Sequence, residues 1–267
     1  MGCENSKQQK KLQEINYSDK KNDQSHEDNF SNHLQSLKKS AIKSFSDLEN
    51  CSNPDQITFI DLKPTLSYQG NQMTQYLLNF THLNSLSLDF CNYTLDQKEF
   101  KNLFEALKNF ANIQKLQLNL WMSKLNDSLM SDLALAIQSQ QNLILLSINL
   151  IENEQIKQEG MESLYEGIAY CKSLTILKLV TPVSANTKKS LNDLGNLILY
   201  HLIKLKELCL TIKCCEGIQN LIKFLSKTKS ITFIYLNLWN LSNIREFGTY
   251  KYQICKSRRL SNIKILI

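Results

Sequence analysis

The chain has 267 residues, 42% of them apolar, and only seven glycines and three prolines, which excludes a collagen-like or low-complexity polymer. Thirty-one basic residues against 25 acidic ones leave a mild net charge of +6, and the repeats described below carry mixed charge rather than a basic stripe, so no nucleic-acid partner is expected. The longest apolar stretch, Leu197–Ile203, falls far short of the roughly 20 residues a membrane-crossing helix needs.

The first thirty residues are polar and lack the apolar core of a secretory signal. They open Met1-Gly2-Cys3-Glu4-Asn5-Ser6-Lys7, which fits the N-myristoylation pattern. The acyl group joins the free amine of Gly2 after Met1 is removed, and any side chain there would block the transferase pocket. One myristoyl chain gives only marginal membrane binding, on the order of 10⁴ M⁻¹. Cys3, beside that lipid, is the expected palmitoylation site and second signal, with weak help from Lys7, Lys10 and Lys11. Residues 1–30 are therefore expected to be an acylated flexible tether, rich in Gln, Asn, Ser, Asp and Lys.

Residues 31–55 follow as an expected capping segment. Leu34, Leu37, Ala41, Ile42, Phe45 and Leu48 recur at helical spacing, so an amphipathic helix over 32–49 is predicted, capped by Ser31 or Asn32. A solenoid needs its first repeat covered, and this helix is placed to do that.

From 56 to 267 one phrase recurs: apolar, two spacers, then apolar residues in alternation. It is clearest at Ile113-Leu116-Leu118-Leu120, Leu143-Leu146-Ile148-Leu150 and Ile231-Ile234-Leu236-Leu238. Its first anchors fall at 57, 83, 113, 143, 174, 205, 231 and 260, in steps of 26 to 31 residues. Between them lie apolar residues at helical spacing, such as Phe100-Leu103-Phe104-Leu107 after the cap Asp96, and Met161-Leu164-Tyr165-Ile168. Period 2 alternating with period 3.6 predicts a β-α repeat whose eight strands lie parallel, with helices on the outer side.

Eight cysteines include no C-x-x-C pair, and His26, His33, His82 and His201 lack partners at metal or nucleophile spacing, so no metal site, disulfide framework or catalytic set is expected. Cys171 takes the slot filled by Phe80 and Phe110 in other copies and is read as core. The seven glycines never cluster into a phosphate-binding loop, and no kinase phrase occurs. No enzyme, cofactor or small-molecule substrate is expected. Lys251, Lys256, Arg258, Arg259 and Lys264 make the end basic, read as a solvated rim.

Leu83-x-x-Leu86-x-Leu88-x-x-Cys91 matches the leucine-rich-repeat phrase, and the step of about thirty residues resembles the ribonuclease-inhibitor-like class. Leu116–Trp121 and Ile234–Trp239 look like the L-x-L-N-L variant of ciliate leucine-rich-repeat proteins, and Lys256–Leu260 like their closing repeat. The resemblance implies an α/β solenoid, or horseshoe, with a parallel concave sheet and outer helices. The chain departs from the family where the Asn/Cys slot holds Trp121, Ile151 and Trp239, so the sequence promises no asparagine ladder and irregular turns are expected.

Alternation decides which side chains leave the core. With Leu116, Leu118 and Leu120 inward, Lys115, Gln117, Asn119 and Trp121 face outward, joined from later strands by Lys178, Phe233, Tyr235, Asn237 and Trp239. Exposed aromatic residues are common interface anchors, so these nine are the candidate protein-binding residues. The expected function is a non-enzymatic interaction scaffold held by acylation at the cytosolic face of a membrane. The alternative is a recognition adaptor or regulatory subunit of a larger soluble complex without membrane residence.

Overall fold

In a computed structural model Ile42–Ile267 forms one compact unit. The structure describes residues 41–63, 70–91, 95–213, 217–239 and 262–266. The expected tether, with Gly2 and Cys3, lies outside the described residues, as do Lys251, Lys256, Arg258 and Arg259.

Strands and helices alternate: β1 (Ala41–Ile42), α1 (Phe45–Glu49), β2 (Phe59–Leu62), α2 (Gly70–Leu77), β3 (Ser85–Asp89), α3 (Gln97–Leu107), β4 (Lys115–Asn119) and α4 (Asp127–Gln138). Then come β5 (Leu145–Asn149), α5 (Gln158–Ala169), β6 (Ile176–Val180), α6 (Lys188–Asn196), β7 (Glu207–Lys213), α7 (Ile218–Lys227), β8 (Phe233–Trp239) and β9 (Asn262–Leu266). The sheet runs β1 to β9 in chain order, and each pairing from β2 onward is parallel. This is the α/β leucine-rich-repeat solenoid that the phrase predicts.

Register explains the core. Ile60, Leu86, Leu116, Leu146, Leu177, Leu208 and Ile234 stand opposite one another across seven strands, and each is 1% exposed or less. Burying one such side chain contributes about 2 kcal/mol, so a one-residue slip, which would turn the whole row to solvent, is strongly disfavoured.

The start of the solenoid differs from expectation. The helix predicted over 32–49 does not run through: Ala41–Ile42 is a strand, and α1 begins only after Ser44. Ser44 Oγ accepts the Asp47 N–H while Asp47 accepts the Ser44 N–H, a reciprocal cap that starts the helix there. The covering role is still filled. Ile42, Phe45 and Leu48 are buried in the common core, and Phe45 meets Tyr76 of α2 edge-to-face at 5.8 Å.

Adjacent repeats are tied by their helices. Asp96 and Glu99 form a capping box at α3, and Asn126 Oδ1 accepts the Leu129 N–H at α4. Lys157 gives α5 no side-chain cap. Asp127, from the repeat before, supplies it, its Oδ1 accepting from Lys157 N at 2.7 Å and Gly160 N at 3.0 Å. Helices α4 and α5 also press close at Gly167, where an added Cβ would lie 2.4 Å from the Ala134 carbonyl oxygen.

Candidate functional site

The outward side of the strands presents rows of side chains whose neighbours are set by the register and stand about 4.8 Å apart. The middle row includes Asp61, Ser87, Gln117, Ser147, Lys178, Cys209 and Tyr235. Gln117 and Lys178 are exposed, and Tyr235 is half-buried. A second row holds Lys115, Leu145, Ile176, Glu207 and Phe233, all half-buried. Burial draws the Lys115 ammonium below its ordinary pKa.

The third row is cross-linked. Asn149 Nδ2 donates to Asn119 Oδ1 at 3.0 Å, and Asn119 Nδ2 donates to Asp89 Oδ1 at 2.8 Å. Asp89 Oδ1 also accepts the Cys91 N–H, its Oδ2 lies 3.4 Å from Lys63 Nζ, and Asn149 Oδ1 accepts the Ile151 N–H. Three strands are thus joined by a side-chain chain that fixes the amides in place. The Cys91 thiol is pushed up, first by burial and then by Asp89. Asn237 lies on the same row but is only 7% exposed, so little of it is open to a partner.

Trp121 stands just past β4, half-buried, and its indole Nε1 is buried without a hydrogen-bond partner among the described residues. Trp239 ends β8 opposite Lys213; its side chain lies outside the described residues. The structure therefore brings Lys115, Gln117, Asn119 and Trp121 together on and beside one strand. It sets Phe233, Tyr235 and Asn237 together on another, with Lys178 between the two groups.

Two polar devices escaped the sequence pattern. Asn153 is 1% exposed; its Oδ1 accepts the Leu125 N–H at 2.9 Å, and its Nδ2 donates to the carbonyls of Leu120 at 2.7 Å and Leu150 at 3.0 Å. Ser123, at the matching place one repeat earlier, donates to the Phe90 carbonyl at 3.4 Å. Where the sequence promises no asparagine ladder, one buried asparagine, Asn153, bridges adjacent repeats at this turn. Counting three residues on from the third alternating leucine, rather than from the second, lands on Ser123 and Asn153 instead of Trp121 and Ile151. The second device is the Asp89–Asn119–Asn149 chain, signalled by Asp or Asn at the same register place in copies thirty residues apart. The turns are irregular as expected, with left-handed backbone at Met122, Lys124 and Glu152 (φ 54°, 56° and 61°), a conformation that favours glycine.

Elsewhere the core turns polar at one seam between α5 and α6. Tyr165 and Ser190 are 4% and 1% exposed, with hydroxyls adjacent but not aligned as a hydrogen bond. Burial raises the Tyr165 phenol far above its usual value. Asp193 is raised by burial and by Glu162, which itself pairs with Lys189 at 2.6 Å. A shallow groove of about 650 Å³ between α2 and α3, lined by Gln75, Leu78, Asn102, Glu105 and Lys108, lies on the helical side, away from the strand rows. Among the described residues no three metal-ligating side chains cluster, and no helix is long and apolar enough to cross a membrane.

No protein-family model and no curated protein matches the chain. Among solved structures, internalin C2 of Listeria monocytogenes str. 4b F2365 matches at 16% identity over 71% of this chain and 74% of that one, with a TM-score of 0.37.

Proposed function

We propose that this chain is a non-enzymatic protein-binding scaffold, held at the cytosolic face of a membrane by acylation at Gly2 and Cys3. The observation that carries the binding half is the outward side of β2–β8, a continuous ruled surface on which polar amides are locked in place and half-buried Leu145, Ile176 and Phe233 offer apolar area. Such a face suits a broad protein surface rather than a small molecule. Its docking residues are Lys115, Gln117, Asn119, Trp121 and Lys178 toward the middle, with Phe233, Tyr235 and Trp239 near the end; Asn237 is too buried to share in the contact. The organisation that goes with this is a tether over 1–30, a capping segment over 31–55 and the solenoid over 56–267. The thirty-residue step aligns the repeats with the ribonuclease-inhibitor-like class, in the L-x-L-N-L form of ciliate chains.

The anchoring half rests on the Gly2, Cys3 and Ser6 pattern. Its test compares the membrane fraction of wild type with Gly2→Ala in cells. Equal fractions would remove the anchor. For the binding half, partners captured by wild type are compared with those captured by a Phe233→Ala, Tyr235→Ala double variant; an unchanged set would remove the aromatic end from the interface.

A further inference from the structure

The turns that lead from each helix into the next strand form one edge of the solenoid, because each is stitched to its neighbours. Thr175 N donates to the Ile144 carbonyl, Lys206 N to the Thr175 carbonyl at 2.8 Å, and Thr232 N to the Lys206 carbonyl at 2.8 Å. The edge changes character along its length. Before β3, β4 and β5 it carries Thr81, His82, Asn112, Gln141 and Asn142, neutral or weakly basic side chains, and its one lysine, Lys108, is paired with Glu105 at 2.7 Å.

Before β6, β7 and β8 the same edge carries Lys172, Lys204, Lys206, Lys227 and Lys229, all exposed. The three stretches 169–175, 197–206 and 226–232 contain no acidic residue, and none of the five lysines is in an ion pair among the described residues. Beside them Tyr170, Tyr200 and Ile203 are 52%, 65% and 68% exposed. They are the three most exposed large hydrophobic side chains among the described residues, and they share this edge with the lysines. Tyrosine and isoleucine set among lysines is the chemistry of an interface between water and lipid: the rings and aliphatic group enter the headgroup layer, and the ammonium groups meet its anionic charge.

The geometry points to this edge as a docking surface for an anionic lipid bilayer, entered by Tyr170, Tyr200 and Ile203 and steered by the five lysines. Exposed isoleucine favours lipid over nucleic acid, whose phosphates would attract the lysines but leave Ile203 in water. The inference deepens the membrane reading and does not need the acyl chains.

The test uses the full-length chain carrying Gly2→Ala, so that no lipid is attached, and vesicles of phosphatidylcholine alone or with about 30 mol % phosphatidylserine. Co-sedimentation is expected with the anionic vesicles only, and is expected to fade between about 0.1 and 0.5 M salt. Lys204→Gln with Lys206→Gln should weaken partitioning more than tenfold, at about fivefold per lysine. Ile203→Ser should weaken it further. Lys98→Gln with Lys101→Gln on α3 removes the same charge from the exposed helical side and should change it little. Failure to bind anionic vesicles at low salt would overturn the inference, and so would an equal loss from the α3 pair, which would mean attraction by net charge alone. Tighter capture by an RNA homopolymer, blocked by the same edge substitutions, would overturn it in favour of nucleic acid. None of these outcomes bears on the acylation test, which depends on Gly2 in cells.

Discussion

Replacing Asn153 with alanine is the sharpest probe of how the strand-to-helix turns hold. The side chain is 1% exposed and serves both sides of one turn. Without it the Leu125 N–H loses its 2.9 Å acceptor, and the Leu120 carbonyl loses its 2.7 Å donor. A buried polar group left unmade costs about 1–3 kcal/mol, so the two together put Asn153→Ala at about 3 kcal/mol. In a chain of this size that corresponds to about 6–12 °C in Tm. Asn153→Asp keeps the acceptor but loses both donations and buries a charge, so it should cost at least as much. Ser123→Ala removes one long bond of 3.4 Å and should cost under about 1 kcal/mol. Urea unfolding measures the three, and native-state hydrogen exchange at the Leu125 amide localises the effect even if a repeat array unfolds in stages. Asn153→Ala within about 0.5 kcal/mol of wild type would refute the bridging role. An equal cost at Ser123 would refute the distinction between the two repeats.

Gly167→Ala should lower stability by about 1–2 kcal/mol, the clash with the Ala134 backbone outweighing the roughly 1 kcal/mol of helix propensity that alanine adds. Gly195→Ala meets the Phe224 side chain rather than backbone and should cost less, so the opposite ranking in urea would show that backbone contact does not set the α4–α5 spacing. Asp127→Ala removes the borrowed cap of α5 and should cost about 1–2 kcal/mol, part of it restored by Asp127→Asn, which keeps an acceptor oxygen; no loss would mean water caps Lys157 equally well. Burial pushes the Cys171 thiol up to about 12 from 9.0. The unfolded thiol ionises first as pH rises, so the stabilisation is whole below pH 9 and is lost between 9 and 12, which Cys171→Ala should make shallower in melts across that range.

The strands were legible because alternation is local. Leu116, Leu118 and Leu120 need only each other to declare a face, and the parallel order follows from the helices between them. The first strand was not legible, because two residues at Ala41–Ile42 are too few to alternate. Ile42, Phe45 and Leu48 stand three apart and fit a helix that the Ser44 cap in fact starts late. Asn153 is not legible from the repeat phrase, whose turn slot falls on Ile151 two residues earlier. At the site, the outward direction of Gln117 and Lys178 followed from the pattern. The near-burial of Asn237 did not, since alternation gives a side chain's direction and not what covers it. Nor did the basic edge: Lys172, Lys204, Lys206, Lys227 and Lys229 are scattered over almost sixty residues and gather only when the turns stack.

That gathering bears on how a weakly lipidated chain would hold to a surface. A single myristoyl group is marginal and needs a second signal. Cys3 could supply it as a second acyl chain, and the edge could supply it as five lysines at about 1 kcal/mol each near an anionic surface. The two differ in kind. An acyl chain resists salt, whereas lysines beyond a Debye length of about 10 Å at 0.1 M are screened. Membrane association that survives high salt in Cys3→Ser would leave no role for the edge, and association that becomes salt-labile only in Cys3→Ser would show the edge acting as the reserve signal. The edge lies at the ends of the strands, not on their outward side, so docking by the edge stands the strands up from the bilayer and leaves the row from Asp61 to Tyr235 open to a partner.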